Sequence, residues 1–241
     1  MTQLHETSPR TIARITGALY LVTIVAGVVA QGAISMRFIS PGNASTTAAN
    51  ILANEPLYRL GFTIYMIELA AQIAMTALFY ELLKPVSRSV SLLSAVFGYV
   101  GCGIKIFSRL FYYAPLFVLG GASIFSGFSE SQLTSISAFL LKINDYGAGL
   151  ALAFFGFSTL LKGWLVIRST FLPHWLGVLS LLGGIGWLSF LSPELGLRLF
   201  PFVAVIGLIG SLATIAWLLV VGVDEGRWRE QAAVAAGSIW R

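Results

Sequence analysis

Five ionisable side chains interrupt otherwise apolar stretches of this sequence: Glu68, Lys105, Arg109, Lys142 and Asp145. At the centre of a bilayer-spanning helix an ionisable group costs about 2.5–3.5 kcal/mol on insertion scales. Such groups therefore face protein, pair with one another, or mark a ligand or ion pathway. Helical spacing sorts them into stripes. Gly61, Tyr65, Glu68, Gln72 and Thr76 follow intervals of three and four, which places them on one helix face. Gly98, Gly101, Lys105, Ser108, Arg109 and Tyr112 make a second stripe, and Lys142, Asp145, Gly149, Gly156 and Gly163 a third, its glycines seven apart. Thr16, Tyr20, Thr23, Gly27 and Gln31 form a milder fourth.

Two acids against three bases leave one surplus positive charge among these residues. Pairing of Glu68 with Lys105, and of Asp145 with Arg109 or Lys142, is expected to neutralise most of it. Ion pairs that only fix helix register are one reading. The other is a lining for a small polar or anionic ligand, with Lys105 and Arg109 as cationic contacts and Glu68 and Asp145 as counter-charges or proton carriers. Gln72 and Tyr112 then serve as hydrogen-bond groups. Lys142 and Asp145 also suit the outer interface, where a lysine reaches water along its own stem.

Other chemistry is poorly provided for. The histidines are His5, in the N-terminal tail, and His174, beside Pro173. A haem held by two intramembrane histidines is therefore not expected, nor is a histidine-based zinc hydrolase. No Gly-x-Ser-x-Gly elbow occurs, and a Ser–His–Asp triad would have to recruit His174. Gly183-Gly184-x-Gly186 follows no strand and reads as helix packing rather than a dinucleotide fingerprint. We expect no metal, no cofactor and no catalytic residue.

The elements that must position these side chains follow from composition. Of 241 residues 57% are apolar and 10% charged, against roughly 25% charged in soluble domains. That excludes a soluble enzyme domain, a disordered chain and a disulfide scaffold, and the single Cys102 reads as a packed thiol. A membrane-spanning helix takes about 20 apolar residues, and six apolar runs stand out: 12–34, 57–83, 90–120, 133–167, 173–191 and 201–223. The expected fold is all-α, a polytopic membrane protein of six transmembrane helices. Helices one to four surround a polar interior and the nearly uncharged fifth and sixth pack outside, with the fourth helix's glycines as a close contact. The first run, about 22 residues long, is read as a spanning helix rather than a removable signal. Pro173 and Pro201 are expected in the first turns of the last two helices.

Charge sets the orientation. Arg10, Arg14, Lys84, Arg88, Lys162, Arg168, Arg227, Arg229 and Arg241 stand on one side, and Arg37, Arg59 and Arg198 on the other. Nine against three puts the tails 1–11 and 224–241 in the cytoplasm, N-in and C-in. The net charge of +5 is therefore topological and implies no nucleic acid. Trp164 and Trp175 fit an interfacial belt. The loop 35–56 is expected outside, with a short helix from Ser45, its N-cap, to Asn54, ended by Pro56. The tail after Asp224 reads as a surface helix.

Pro41-Gly42-Asn43-Ala44, Thr47 through Glu55, and Arg59-Leu60-Gly61 together resemble a bacterial family, the domain of unknown function DUF4386. So do Asp145-Tyr146-Gly147, Phe154 through Phe157, Gly163, Arg168-Ser169, Phe171-Leu172-Pro173 and Trp175 through Leu179. The resemblance covers about Arg14 to Leu191. Where the family often has a histidine before Tyr-Gly, this chain has Asn144-Asp145. The resemblance implies the bacterial inner membrane and a multi-span helical fold, and no activity.

The function expected from these residues is binding, or passage, of a small polar or anionic ligand at Lys105, Arg109, Glu68, Asp145, Gln72, Tyr112 and Lys142. Two rivals are a non-catalytic accessory subunit docking a membrane protein or lipid through helices five and six, and an enzyme on lipid head groups using Glu68 and Asp145 as acid and base.

Overall fold

The structure, a computed structural model, describes residues 8–237. His5 and Arg241 lie outside the described residues. The elements are α1 (Pro9–Phe38), α3 (Glu55–Leu83), α4 (Arg88–Leu119), α5 (Glu130–Arg168), α6 (His174–Leu191) and α7 (Pro193–Val220), with two shorter helices, α2 (Ala44–Ala53) and α8 (Glu225–Gly237). Among the described residues there is no strand. Six helices are long and apolar enough to cross a membrane, so the protein is an all-α, multi-pass integral membrane protein.

Several ends differ from the sequence expectation. Asn43, not Ser45, caps α2, its side chain accepting from the Thr46 amide at 2.9 Å. Asn accepts this bond as well as Ser, and here it comes first in the chain. Pro56 does not end that helix; it lies in the first turn of α3, where a missing N–H costs nothing. Pro193 takes the same position in α7, which leaves Pro201 inside the helix rather than in its first turn. The Leu197 carbonyl consequently has no i+4 amide to receive.

The chain divides into two compact units. One comprises residues 8–21, 71–101 and 150–237, the other Val22–Ala70 and Cys102–Gly149; α1, α3, α4 and α5 each contribute to both.

The first unit packs through small residues. The glycines of α5 do make a close contact, and their partner is α6: a Cβ on Gly163 would stand 2.8 Å from the Gly177 carbonyl oxygen, and one on Gly184 equally close to the Leu160 amide. Gly156 and Gly163 thus run antiparallel to Gly184 and Gly177 along one seam, and no larger residue lets these backbones meet. Likewise Gly17 of α1 approaches Leu218, and Gly207 of α7 approaches Trp187. Around these contacts Met75, Phe79, Leu82, Leu165, Leu176 and Leu218 form the core. The tail helix α8 is tied down by Trp228, whose indole donates to the Leu82 carbonyl at 2.9 Å, and by Gln231, which accepts from Thr170.

The second unit holds most of the ionisable residues singled out above. Its core is aromatic: Phe38, Tyr58, Tyr65 and Tyr112, with Ile34, Ile51 and Leu116. Residues 29–35 of α1 form a π-helical stretch, a local widening that often marks functional segments.

Candidate functional site

Register builds the site. Within the second unit α3 and α4 run antiparallel, so Gly61 meets Tyr112, Tyr65 meets Arg109 and Glu68 meets Lys105. A Cβ on Gly61 would stand 3.0 Å from the Tyr112 hydroxyl, and one on Gly27 of α1 would stand 3.4 Å from the Glu68 carboxylate. The expected stripes on α3 and α4 are therefore one polar seam, read from both sides. α5 enters with Gly147 against Ser108 and Asn144 against Arg109.

Glu68 is 4% exposed, and its Oε1 accepts from the Lys105 ammonium, as the pairing of charges predicts. Its Oε2 is buried without a partner. Arg109, 3% exposed, lies over the Tyr65 ring with its guanidinium carbon 3.7 Å from the centroid. Its Nη1 donates to the Asn144 side-chain oxygen at 2.9 Å, and its Nε has no partner.

Asp145 does not pair as expected. Among the described residues no carboxylate oxygen lies within 4.0 Å of Arg109 or Lys142. Asn144 intervenes, donating at 3.0 Å to the Asp145 carboxylate while accepting from Arg109. The reason is helical phase. The buried face of α5 runs through Thr134, Ser137, Leu141 and Asn144. Asp145, about 100° further round, is exposed, and so is Lys142. Further along α5 Gly156 and Gly163 face α6, while Lys142 and Asp145 are exposed. Among the described residues Lys142 makes no ion pair, and it stands outside the cluster. Gln72 belongs to the other unit, where its backbone carbonyl accepts from Thr76.

Hydroxyls extend the cluster toward α1. Tyr65 donates to the Gln31 side chain at 2.5 Å and lies 3.1 Å from the Ser35 hydroxyl, which itself donates to the Tyr112 hydroxyl at 3.2 Å. Tyr58 donates to the Tyr112 carbonyl and stacks on its ring, centroids 4.5 Å apart. Gln31 and Ser35 both lie in the π-helical stretch. The stripe reading included Tyr65, Gln31 and Tyr112 but missed Asn144, Ser35 and Tyr58. Asn144 carried one available signal, its place in an i, i+4, i+7 series with Ser137 and Leu141.

Among the described residues no group of three or more His, Cys, Asp or Glu side chains could hold a metal ion. In the first unit a cavity of about 10 Å³, room for one water, is lined by Thr76, Ser91, Ser94, Ser158 and Lys162 among others. An open groove of about 640 Å³ runs past Arg10, Pro173, Trp217 and Asp224.

No curated protein and no solved structure matches this chain. A family model, that of the domain of unknown function DUF4386, matches residues 15–222, most of the chain, and the protein belongs to this family.

Proposed function

We propose that this membrane protein binds a small polar or anionic ligand at Arg109, with Lys105, Glu68, Tyr65 and Tyr112 around it. One observation carries the reading. Arg109 is buried and, among the described residues, has no carboxylate within ion-pair distance and keeps one donor unpartnered. Pairs that only hold helices in register account for the charges of Glu68 and Lys105, which neutralise one another. They do not account for a guanidinium whose charge is left to an amide and a ring, because removing the partner of a buried charge costs about 3–5 kcal/mol.

Depth supports the same reading. On α3 Tyr65 and Glu68 stand a rise of about 9 and 14 Å from Arg59, less than half of a hydrocarbon core of about 30 Å. The cluster therefore belongs to the membrane half on the Arg59 side, within reach of solutes there. With both termini cytoplasmic, as the Arg and Lys distribution suggests, that side is external. On the family resemblance the membrane is the bacterial inner membrane.

The test is a thermal-shift screen of the full chain in lipid nanodiscs against inorganic and organic anions and neutral polar solutes. At least one is expected to raise the Tm of the wild type and leave Arg109→Gln unmoved. A wild-type Tm unmoved by every solute would count against binding.

A further inference from the structure

We infer that the ligand at Arg109 is a zwitterion carrying a carboxylate and a protonated amine, the pattern of an α-amino acid. This inference rests on the reading of the cluster as a binding site and narrows its ligand class. Two observations carry it. First, the unsatisfied groups are of opposite kind. Arg109 Nε is a buried donor without an acceptor, and Glu68 Oε2 is a buried acceptor without a donor. Both side chains are more than nine-tenths buried. Each such atom costs about 1–3 kcal/mol, more for charged groups. A bound molecule that offered an acceptor to one and a donor to the other would recover both.

Second, the two side chains belong to one seam. Glu68 stands on α3 one turn from Tyr65, on whose ring Arg109 lies. Asn144 occupies Nη1 and no hydrogen bond engages Nη2 among the described residues, so the Nε–Nη2 edge of the guanidinium is the edge free for a carboxylate. That edge offers two parallel N–H groups in the fork that matches a planar carboxylate. Tyr65 covers one guanidinium face, which fixes the plane in which the carboxylate would lie. The ammonium would then meet Glu68, beside the Lys105 already bound to its other oxygen.

A zwitterion fills both vacant bonding sites, whereas a plain anion meets only Arg109 and a plain amine only Glu68. Both unsatisfied atoms are enclosed, so entry requires side-chain movement at the edges where the cluster reaches the surface, Lys105 and Asp145.

The experiment measures equilibrium binding to the full chain in nanodiscs. Each standard L-α-amino acid is tried, and the tightest binder is compared with its deaminated acid and its decarboxylated amine. The proposal expects the amino acid to bind at least tenfold more tightly than either truncated form, with Arg109→Gln abolishing binding and Arg109→Lys weakening it at least tenfold. Glu68→Gln, if it folds, is expected to lower affinity for the amino acid but not for the deaminated acid. Equal affinity for amino acid and deaminated acid overturns the zwitterion while leaving an anion site intact. Binding by no amino acid, with an inorganic or organic anion still shifting the Tm in an Arg109-dependent way, overturns the proposal in the same manner. Amino-acid binding unchanged in both Arg109 variants overturns the site itself.

Discussion

The guanidinium carbon of Arg109 lies over the Tyr65 ring, 3.7 Å from its centroid. A desolvated contact of this kind is worth about 2 kcal/mol, so Tyr65 stabilises a charge that no acid neutralises directly. The ring and the hydroxyl of Tyr65 do separate work. The ring meets Arg109, while the hydroxyl is tied to Gln31 and Ser35 in the π-helical stretch of α1.

Those two roles separate by mutation. Tyr65→Phe keeps the ring and removes hydrogen bonds worth about 1 kcal/mol, so it lowers thermal stability while Arg109-dependent binding persists. Tyr65→Leu removes the platform as well and weakens binding by a further factor of ten or more. Thermal unfolding and ligand titration on the same two variants check this.

The Glu68–Lys105 pair makes a different prediction. Glu68→Gln leaves the Lys105 ammonium in a low-dielectric site without its counter-charge, a loss of about 3–5 kcal/mol. Glu68→Gln combined with Lys105→Met removes both charges and recovers most of that loss. Unfolding in mild detergent follows both proteins, and a double variant no more stable than Glu68→Gln would contradict direct pairing.

Asn144→Asp puts a carboxylate where Arg109 now meets an amide. It is expected to raise thermal stability and to reduce ligand binding at least tenfold, because the guanidinium is then neutralised internally. Lys142→Gln, by contrast, alters an exposed side chain with no ion pair and is expected to change stability by less than about 0.5 kcal/mol.

At the α5–α6 seam a single methyl is decisive. Gly163→Ala places a Cβ 2.8 Å from the Gly177 carbonyl oxygen, and overpacking of this kind costs about 1–3 kcal/mol. Gly103→Ala meets nothing within 4 Å and gains about 0.8–1.0 kcal/mol of helix propensity. The two Tm shifts should have opposite signs.

How far the sequence carries this molecule depends on the element. The six spans were legible because length and apolar composition alone decide them, and the shared seam of α3 and α4 because spacings of three and four keep Tyr65, Glu68, Lys105 and Arg109 on facing sides. α5 was misread in phase. Its charges, Lys142 and Asp145, drew the stripe outward, while the residue that meets Arg109 is the uncharged Asn144. The stripe was drawn through charges because a desolvated charge is expensive, and an uncharged amide gives no such signal. Ser35 was assigned to a loop because the apolar run ends at Ile34, whereas the helix continues through polar Ser35 and Arg37 to Phe38. The separate unit holding Gln72 was illegible, since a stripe along one long helix says nothing of where its neighbours change.

The most direct test of the central claim is native mass spectrometry of the full chain released from its own membranes, comparing wild type with Arg109→Gln. The account predicts a small molecule bound to the wild type and absent from a folded Arg109→Gln protein. A folded wild type that carries the same complement of small molecules as Arg109→Gln, or none at all, would contradict it.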